Sequence, residues 1–151
     1  MSGSSNSDTS IHQHCAILFA DMVDYSSMRE EDALQFKDEM MELAQRGLPE
    51  RSGRIVKTLG DGFLAQFPNA SGAVAFAIDL QDCVAKRNQG LPARRQFRLR
   101  VGIHAGEVVL RDGDVAGATV NIAARTEALA GPGGICLTQE AWDQEIGRAH
   151  V

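Results

Sequence analysis

The stretch Arg54–Phe67, R-I-V-K-T-L-G-D-G-F-L-A-Q-F, constrains this chain most. Two short β-rich runs, Ile55–Thr58 and Phe63–Phe67, flank Gly60-Asp61-Gly62. Runs of this kind joined by a Gly-flanked Asp predict a β-hairpin. Glycine on each side of Asp61 permits a sharp turn and close approach of a ligand to the backbone. The hairpin therefore carries a carboxylate at its tip and Lys57 on its first arm. Alone, the pattern also describes an ordinary Asp-Gly turn with an exposed lysine, so the rest of the chain has to decide.

Cys15–Ala20 is a continuous apolar run that ends at Asp21. It predicts a central strand buried on both faces. A carboxylate at the end of such a strand needs a partner, because burying an unpaired charge is costly. Helical periodicity follows from Ser26 to Arg46, with acids early, Arg46 late, and Gly47 and Pro49 as stops. Pro68–Ser71 starts a second helix that runs to about Lys86. Phe97–Val101 alternates as a half-buried strand. A sharp bend is expected within Gly102–Gly106, with Val108–Leu110 as the return strand. Arg111–Asp114 is a turn, Thr119–Ala130 a third helix, Ile135–Thr138 a strand and Gln139–Ile146 a last helix.

Strand, helix, hairpin, helix, strand is close to the split βαβ, ferredoxin-like arrangement. The expected class is α+β, an antiparallel sheet with helices on one face. At 151 residues the chain is one domain by size. Residues 11–147 are read as that domain. Met1–Ser10 is read as a disordered Ser-rich tail, and residues 148–151 as a short tail.

The net charge of −5 gives no general attraction to nucleic acid or a membrane surface. Lys86–Arg100 is the local exception, with Lys86, Arg87, Arg94, Arg95, Arg98 and Arg100 and no acid. It reads as a solvated face or as a patch that meets phosphate or a partner. The 3 cysteines show no metal or redox spacing and read as reduced, mostly buried thiols. With no apolar run long enough to span a bilayer, a cytoplasmic location is expected, although such a piece can belong to a larger membrane protein.

Asp21 at a strand end and Asp61 at the tip of a neighbouring hairpin form a pair of carboxylates. Close carboxylates do not both ionise without a cation between them. Mg²⁺ or Mn²⁺ suits oxygen ligands and phosphates. Asn121 and Arg125 stand at i and i+4, on one helical face. Such a face can orient a sugar and stabilise charge on a phosphorus in flight. Lys57 and Asp114 supply a donor and an acceptor that suit a base edge.

Ile17-Leu-Phe-Ala-Asp-Met-Val-Asp-Tyr-Ser26, Lys57-Thr-Leu-Gly-Asp61 and Asp114-Val-Ala-Gly-Ala-Thr-Val-Asn-Ile-Ala-Ala-Arg125 resemble the signatures of class III nucleotidyl cyclase catalytic domains. Thr126–Ile135 resembles the bacterial branch. The resemblance runs from about Cys15 to Trp142 in matching order and spacing. It implies Asp21 and Asp61 as ligands of two metal ions, with the Met22 carbonyl completing a shell. It implies Lys57 and Asp114 as the pair that selects adenine, Asn121 as the ribose-orienting residue and Arg125 as the transition-state residue. It also implies ATP as substrate and a head-to-tail homodimer. One copy gives the metal aspartates, and the other gives Lys57, Asp114, Asn121 and Arg125.

The pattern is not complete. Asp24 stands where the family usually has Gly. Ala116 and Ala118 stand where a bulky residue and an Asp are common. The chain ends soon after Ile146, where the family adds strands carrying a basic residue for the triphosphate. The expected activity is adenylate cyclase. The alternatives are a guanylyl or relaxed-specificity cyclase and a catalytically silent cyclase-like module for dimerisation or nucleotide sensing.

Overall fold

Alternation along the first strand sets the layering. The computed structural model describes residues 11–149. Strand β1 (Ile11–Met22) sends Ala16, Leu18, Ala20 and Met22 into one core, and Cys15 and Ile17 into another. Both faces of β1 are thus covered, as its continuous apolar run requires.

The order continues α1 (Glu30–Gly47), β2 (Arg54–Thr58), β3 (Gly62–Phe67), α2 (Ala70–Asn88), β4 (Leu99–Arg111), β5 (Asp114–Ala116), α3 (Ala118–Ala128), β6 (Ile135–Leu137) and α4 (Gln139–Ala149). The sheet order is β2-β3-β1-β4-β5, with β6 added parallel to β4. β1, β2, β3 and β4 pair antiparallel in the split βαβ order. Residues of α1, α2 and α4 fill the larger core, where Phe63, Phe67 and Phe76 meet. Helix α3 does not join them. Its Ala123 packs with Cys15, Ile17, Leu64, Val108 and Val115 on the opposite face. The expectation of helices on one face is corrected accordingly.

Local signals explain most boundaries. α1 carries Glu30, Glu31 and Asp32 in its first turn and Arg46 in its last, matching the macrodipole. It starts later than expected because Tyr25–Ser27 forms a separate 3-10 turn. α2 is capped by Asn69, whose side chain accepts from the Gly72 amide at 2.9 Å. Helix α4 continues to Ala149, through part of the stretch read as a tail, and Met1–Ser10 lies outside the described residues. The cysteines are all free; Cys15 is buried, but Cys83 is exposed.

The bend expected within Gly102–Gly106 does not exist. β4 runs straight through it. Those glycines serve helix packing instead. A Cβ on Gly102 would fall 2.1 Å from the Glu127 amide nitrogen, and one on Gly106 2.6 Å from Thr119 Oγ1. Bare strand backbone lets α3 lie directly on β4. Gly102→Ala is therefore expected to cost roughly 3 kcal/mol, because helix backbone cannot step aside as a side chain can. Urea unfolding of the variant checks this, and an unchanged midpoint would contradict it.

The hairpin tip has a similar reason for its sequence. Neither Gly60 nor Gly62 adopts a positive φ. Gly62 is required because a Cβ there would lie 1.8 Å from the Ala20 carbonyl oxygen. The close approach is that of the chain to itself. β5, missed in the sequence, follows a tight turn with Asp112 at φ 52° and Gly113 at φ 81°, the paired positive φ of a type I′ hairpin.

Candidate active site

Register brings the two predicted carboxylates together. Asp21 pairs with Gly62 across β1 and β3, and the Met22 amide donates to the Asp61 carbonyl at 2.8 Å. The hairpin tip is thereby tied to the end of β1. The Asp21 and Asp61 carboxyls are in hydrogen-bonding contact, and Asp21 Oδ1 is buried without a partner. Burial pushes the Asp21 carboxyl up to about 8, helped by the hydrogen bond to Asp61 and the charges of Glu127 and Asp61. Met22 has its side chain in the core, so only its backbone can face this site.

Two members of the cluster were not singled out from the sequence. Glu127, near the end of α3, is in hydrogen-bonding contact with Asp21. Burial and the Asp61 charge raise its carboxyl, while the Arg100 charge opposes that. Arg100 stands opposite Asp21 in the β1–β4 register, and its Nε donates to the Ala130 carbonyl at 3.0 Å. Three acids and one arginine thus meet at the strand ends. Arg100 was legible only as part of a basic stretch, because the long β1–β4 pairing was not foreseen. Glu127 lies about 200° round the helix from Arg125, which hides it from a search along the Asn121–Arg125 face.

The other predicted residues gather elsewhere. The Lys57 ammonium stands 3.3 Å from the Asp114 carboxylate, although β2 and β5 lie at opposite ends of the sheet order. Arg54 donating to the Gly113 carbonyl at 3.1 Å holds the β4–β5 arm there. The Val115 amide, then Lys57, hold the Asp114 carboxyl below its ordinary value. Asn121 and Arg125 share the exposed side of α3. No hydrogen bond or ion pair among the described residues joins them to either group. A single chain therefore places the predicted residues in three separate groups: the acids, the Lys57–Asp114 pair and the exposed α3 face.

The family model described as the adenylate and guanylate cyclase catalytic domain matches residues 8–145. The chain belongs to this cyclase family. It is 38% identical over 140 residues to a Rhizobium meliloti (strain 1021) protein provisionally named adenylate cyclase 3, covering 90% of this chain and 24% of that protein. It is 35% identical over 142 residues to an adenylate cyclase of Streptomyces coelicolor, covering 91% of this chain and 35% of that one. The chain thus spans only about a quarter to a third of these relatives. Among solved structures, an adenylate/guanylate cyclase/hydrolase from Silicibacter pomeroyi superposes with a TM-score of 0.83 at 38% identity, covering 93% of this chain and 83% of that one.

Within this cyclase domain, Asp24 takes a left-handed conformation, φ 57° and ψ 29°. That is a backbone shape glycine adopts without penalty, which gives a physical reason for the family's usual Gly there. No helix among the described residues is long and apolar enough to cross a membrane.

The acid cluster predicts a pH dependence of stability. In the folded cyclase domain Asp21 titrates near 8, against roughly 3.9 in an unfolded chain. The folded state holds a proton that the unfolded state releases. Its contribution is fully present below the unfolded value and is lost as pH rises through the folded value. In chelator, the melting temperature is therefore expected to fall between about pH 5 and 8. Asp21→Asn should flatten that fall. A melting temperature that rises with pH, or a variant with the same slope, would contradict the assignment.

Proposed function

We propose that this cyclase domain converts ATP to 3′,5′-cyclic AMP and pyrophosphate at a site shared by two copies, using two divalent cations, Mg²⁺ or Mn²⁺. The observation that carries the choice of ATP is the Lys57–Asp114 pair, a donor and an acceptor held 3.3 Å apart on converging strands. Lys57 donates to a ring nitrogen of adenine, and Asp114 accepts from its amino group. Guanine offers the reverse pattern at those atoms, so it leaves both groups unpaired.

The acid cluster fits a hard cation. Asp21 Oδ1 is buried with no partner, Asp61 faces it, and Asp21 holds a proton that a cation can replace. Among the described residues no three His, Cys, Asp or Glu side chains form a ready-made cage. Mg²⁺ seldom needs one, since it keeps waters and takes substrate phosphate oxygens. Asp21, Asp61 and the Met22 carbonyl would hold the ions. When bound, a cation pair supplies activation of the attacking 3′ oxygen and neutralisation of the leaving phosphate. Asn121 orients the ribose, and Arg125 stabilises charge on the α-phosphorus. These roles are positioning and electrostatics, not covalent chemistry.

A shared site is supported by what one chain leaves open. Asn121 and Arg125 are exposed, and half-buried Phe19, Val56, Leu110 and Val120 fringe the core on the α3 side. Head-to-tail pairing across a two-fold axis sets the acids of one copy against Lys57, Asp114, Asn121 and Arg125 of the other, twice over.

Base selection gives the test. Lys57 and Asp114 are about half exposed, and an exposed ion pair contributes little to stability. Lys57→Glu with Asp114→Gly is therefore expected to keep the fold and lower kcat/KM for ATP by about a hundredfold or more. GTP turnover should rise relative to ATP turnover. If both single variants kept wild-type ATP kinetics, the assignment of adenine selection would be overturned.

A further inference from the structure

The basic stretch Lys86–Arg100, which the cyclase reading leaves mostly unused, folds around two adjoining cavities. The larger, about 440 Å³, lies between the loop after β1 and the segment before β4. Val23, Met28, Phe36 and Phe97 give it apolar walls, and Ser27, Arg94 and Arg98 stand at its polar side. The smaller, about 200 Å³, shares Phe36 and Arg94 and adds Arg29 and Arg95. The larger alone is within the size range of small-molecule sites.

The charge here runs against that of the whole chain, which is −5. The side chains of Arg29, Arg94, Arg95 and Arg98 have no hydrogen-bond or ion-pair partner among the described residues. Asp24 and Asp32 are the carboxylates that line the same cavities. Cations therefore exceed anions, and none of these four guanidiniums is committed to a structural bond.

The floor beneath them is fixed. Arg87 binds both oxygens of Glu39 at 2.8 and 2.9 Å, with its guanidinium 5.2 Å from the Phe36 ring centroid and 4.9 Å from that of Phe97. It also donates to the Arg95 carbonyl, and Asn88 Nδ2 donates to the Phe97 carbonyl at 2.7 Å. The segment that carries Arg94, Arg95 and Arg98 is thus held before any ligand arrives, which lowers the cost of ordering it on binding.

We propose that these cavities form a second ligand site, separate from the Asp21–Asp61 cluster, for a small organic anion. A flat apolar body lies against Phe36, Phe97 and Met28. Its carboxylate, sulfonate or phosphate meets Arg94 and Arg98, with Ser27 as a further donor. The site has a direct route to the cyclase centre. The Val23 amide donates to the Arg98 carbonyl at 2.9 Å, only two residues past Asp21. An anion that draws Arg98 inward therefore bears on the strand end that carries the acids. This effect on turnover rests on the cyclase reading, whereas binding does not.

The test uses the whole chain and 8-anilinonaphthalene-1-sulfonate, a flat apolar anion whose fluorescence reports binding. Wild type is expected to bind one probe per chain, more weakly as salt rises. Arg94→Gln with Arg98→Gln should weaken binding by about tenfold or more, while Lys57→Gln leaves it unchanged. Both arginines are exposed and unpartnered, so matched melting curves confirm that the double variant is folded. Wild-type affinity in the double variant would overturn the site. Displacement of the probe by ATP and Mg²⁺ in proportion to nucleotide binding would overturn its separateness. Probe binding without any cyclase turnover would sink the proposed function and leave this site standing.

Discussion

Asp61→Ala is expected to cut cation-dependent cyclic AMP formation by about a thousandfold or more while the protein stays folded. The geometry separates the two effects. What ties the hairpin tip to β1 is the Asp61 main-chain carbonyl, which accepts from the Met22 amide at 2.8 Å. Alanine keeps that bond. The lost carboxylate faces Asp21 and adds negative charge next to Glu127. Without a cation, removing it eases the charge on Glu127 but also takes away the hydrogen bond to Asp21, so the variant's melting temperature in chelator should stay close to that of wild type. Asp21→Ala should behave alike, because it also removes the buried, unpartnered Oδ1. Comparison of product formation and melting curves checks both halves. Cyclic AMP formation by the wild type in excess chelator would contradict the role given to these residues.

Mixing two inactive variants is expected to restore activity. Asp61→Ala damages the acid half of the site, and Arg125→Ala damages the half on the exposed face of α3. Neither alone should turn over ATP. In a head-to-tail heterodimer one site carries both lesions and the other carries none. Recovery to about a quarter of wild type is expected if equal amounts pair at random and bind equally well, since about half of the dimers are then mixed and each has one intact site of two. The prediction follows from the separation of the pieces in one chain, where Arg125 makes no bond to the acid cluster among the described residues. Mixed variants that stay inactive despite demonstrated heterodimers would overturn the division.

Much of this could be read from residue order, and the failures share a physical cause. The Arg54–Phe67 hairpin, the β1 run and the split βαβ order were legible because apolar periodicity and turn residues are local signals. The side chosen by α3 was not, because it depends on which strand face can accept a helix. Gly102 and Gly106 were read as a bend when they are a landing strip for α3, and nothing local separates a glycine that turns from one that makes room. β5 was missed because three residues carry too little pattern. Asp21 and Asp61 were paired correctly from their positions at a strand end and a hairpin tip. Glu127 and Arg100 complete that cluster through long-range register, which no short window contains. Lys57 and Asp114 were grouped by chemistry, and their contact arises only because the β4–β5 arm returns to β2.

The most direct measurement is the formation of 3′,5′-cyclic AMP and pyrophosphate from ATP by the purified chain, followed across protein concentration with and without Mg²⁺ or Mn²⁺. The expected result is turnover that requires the cation and prefers ATP to GTP. Specific activity should rise with concentration towards a plateau, since dimerisation completes each site. Specific activity that stays flat down to concentrations where only monomer exists would contradict the shared site. Absence of cation-dependent cyclic AMP at concentrations where the dimer is demonstrated would contradict the function itself.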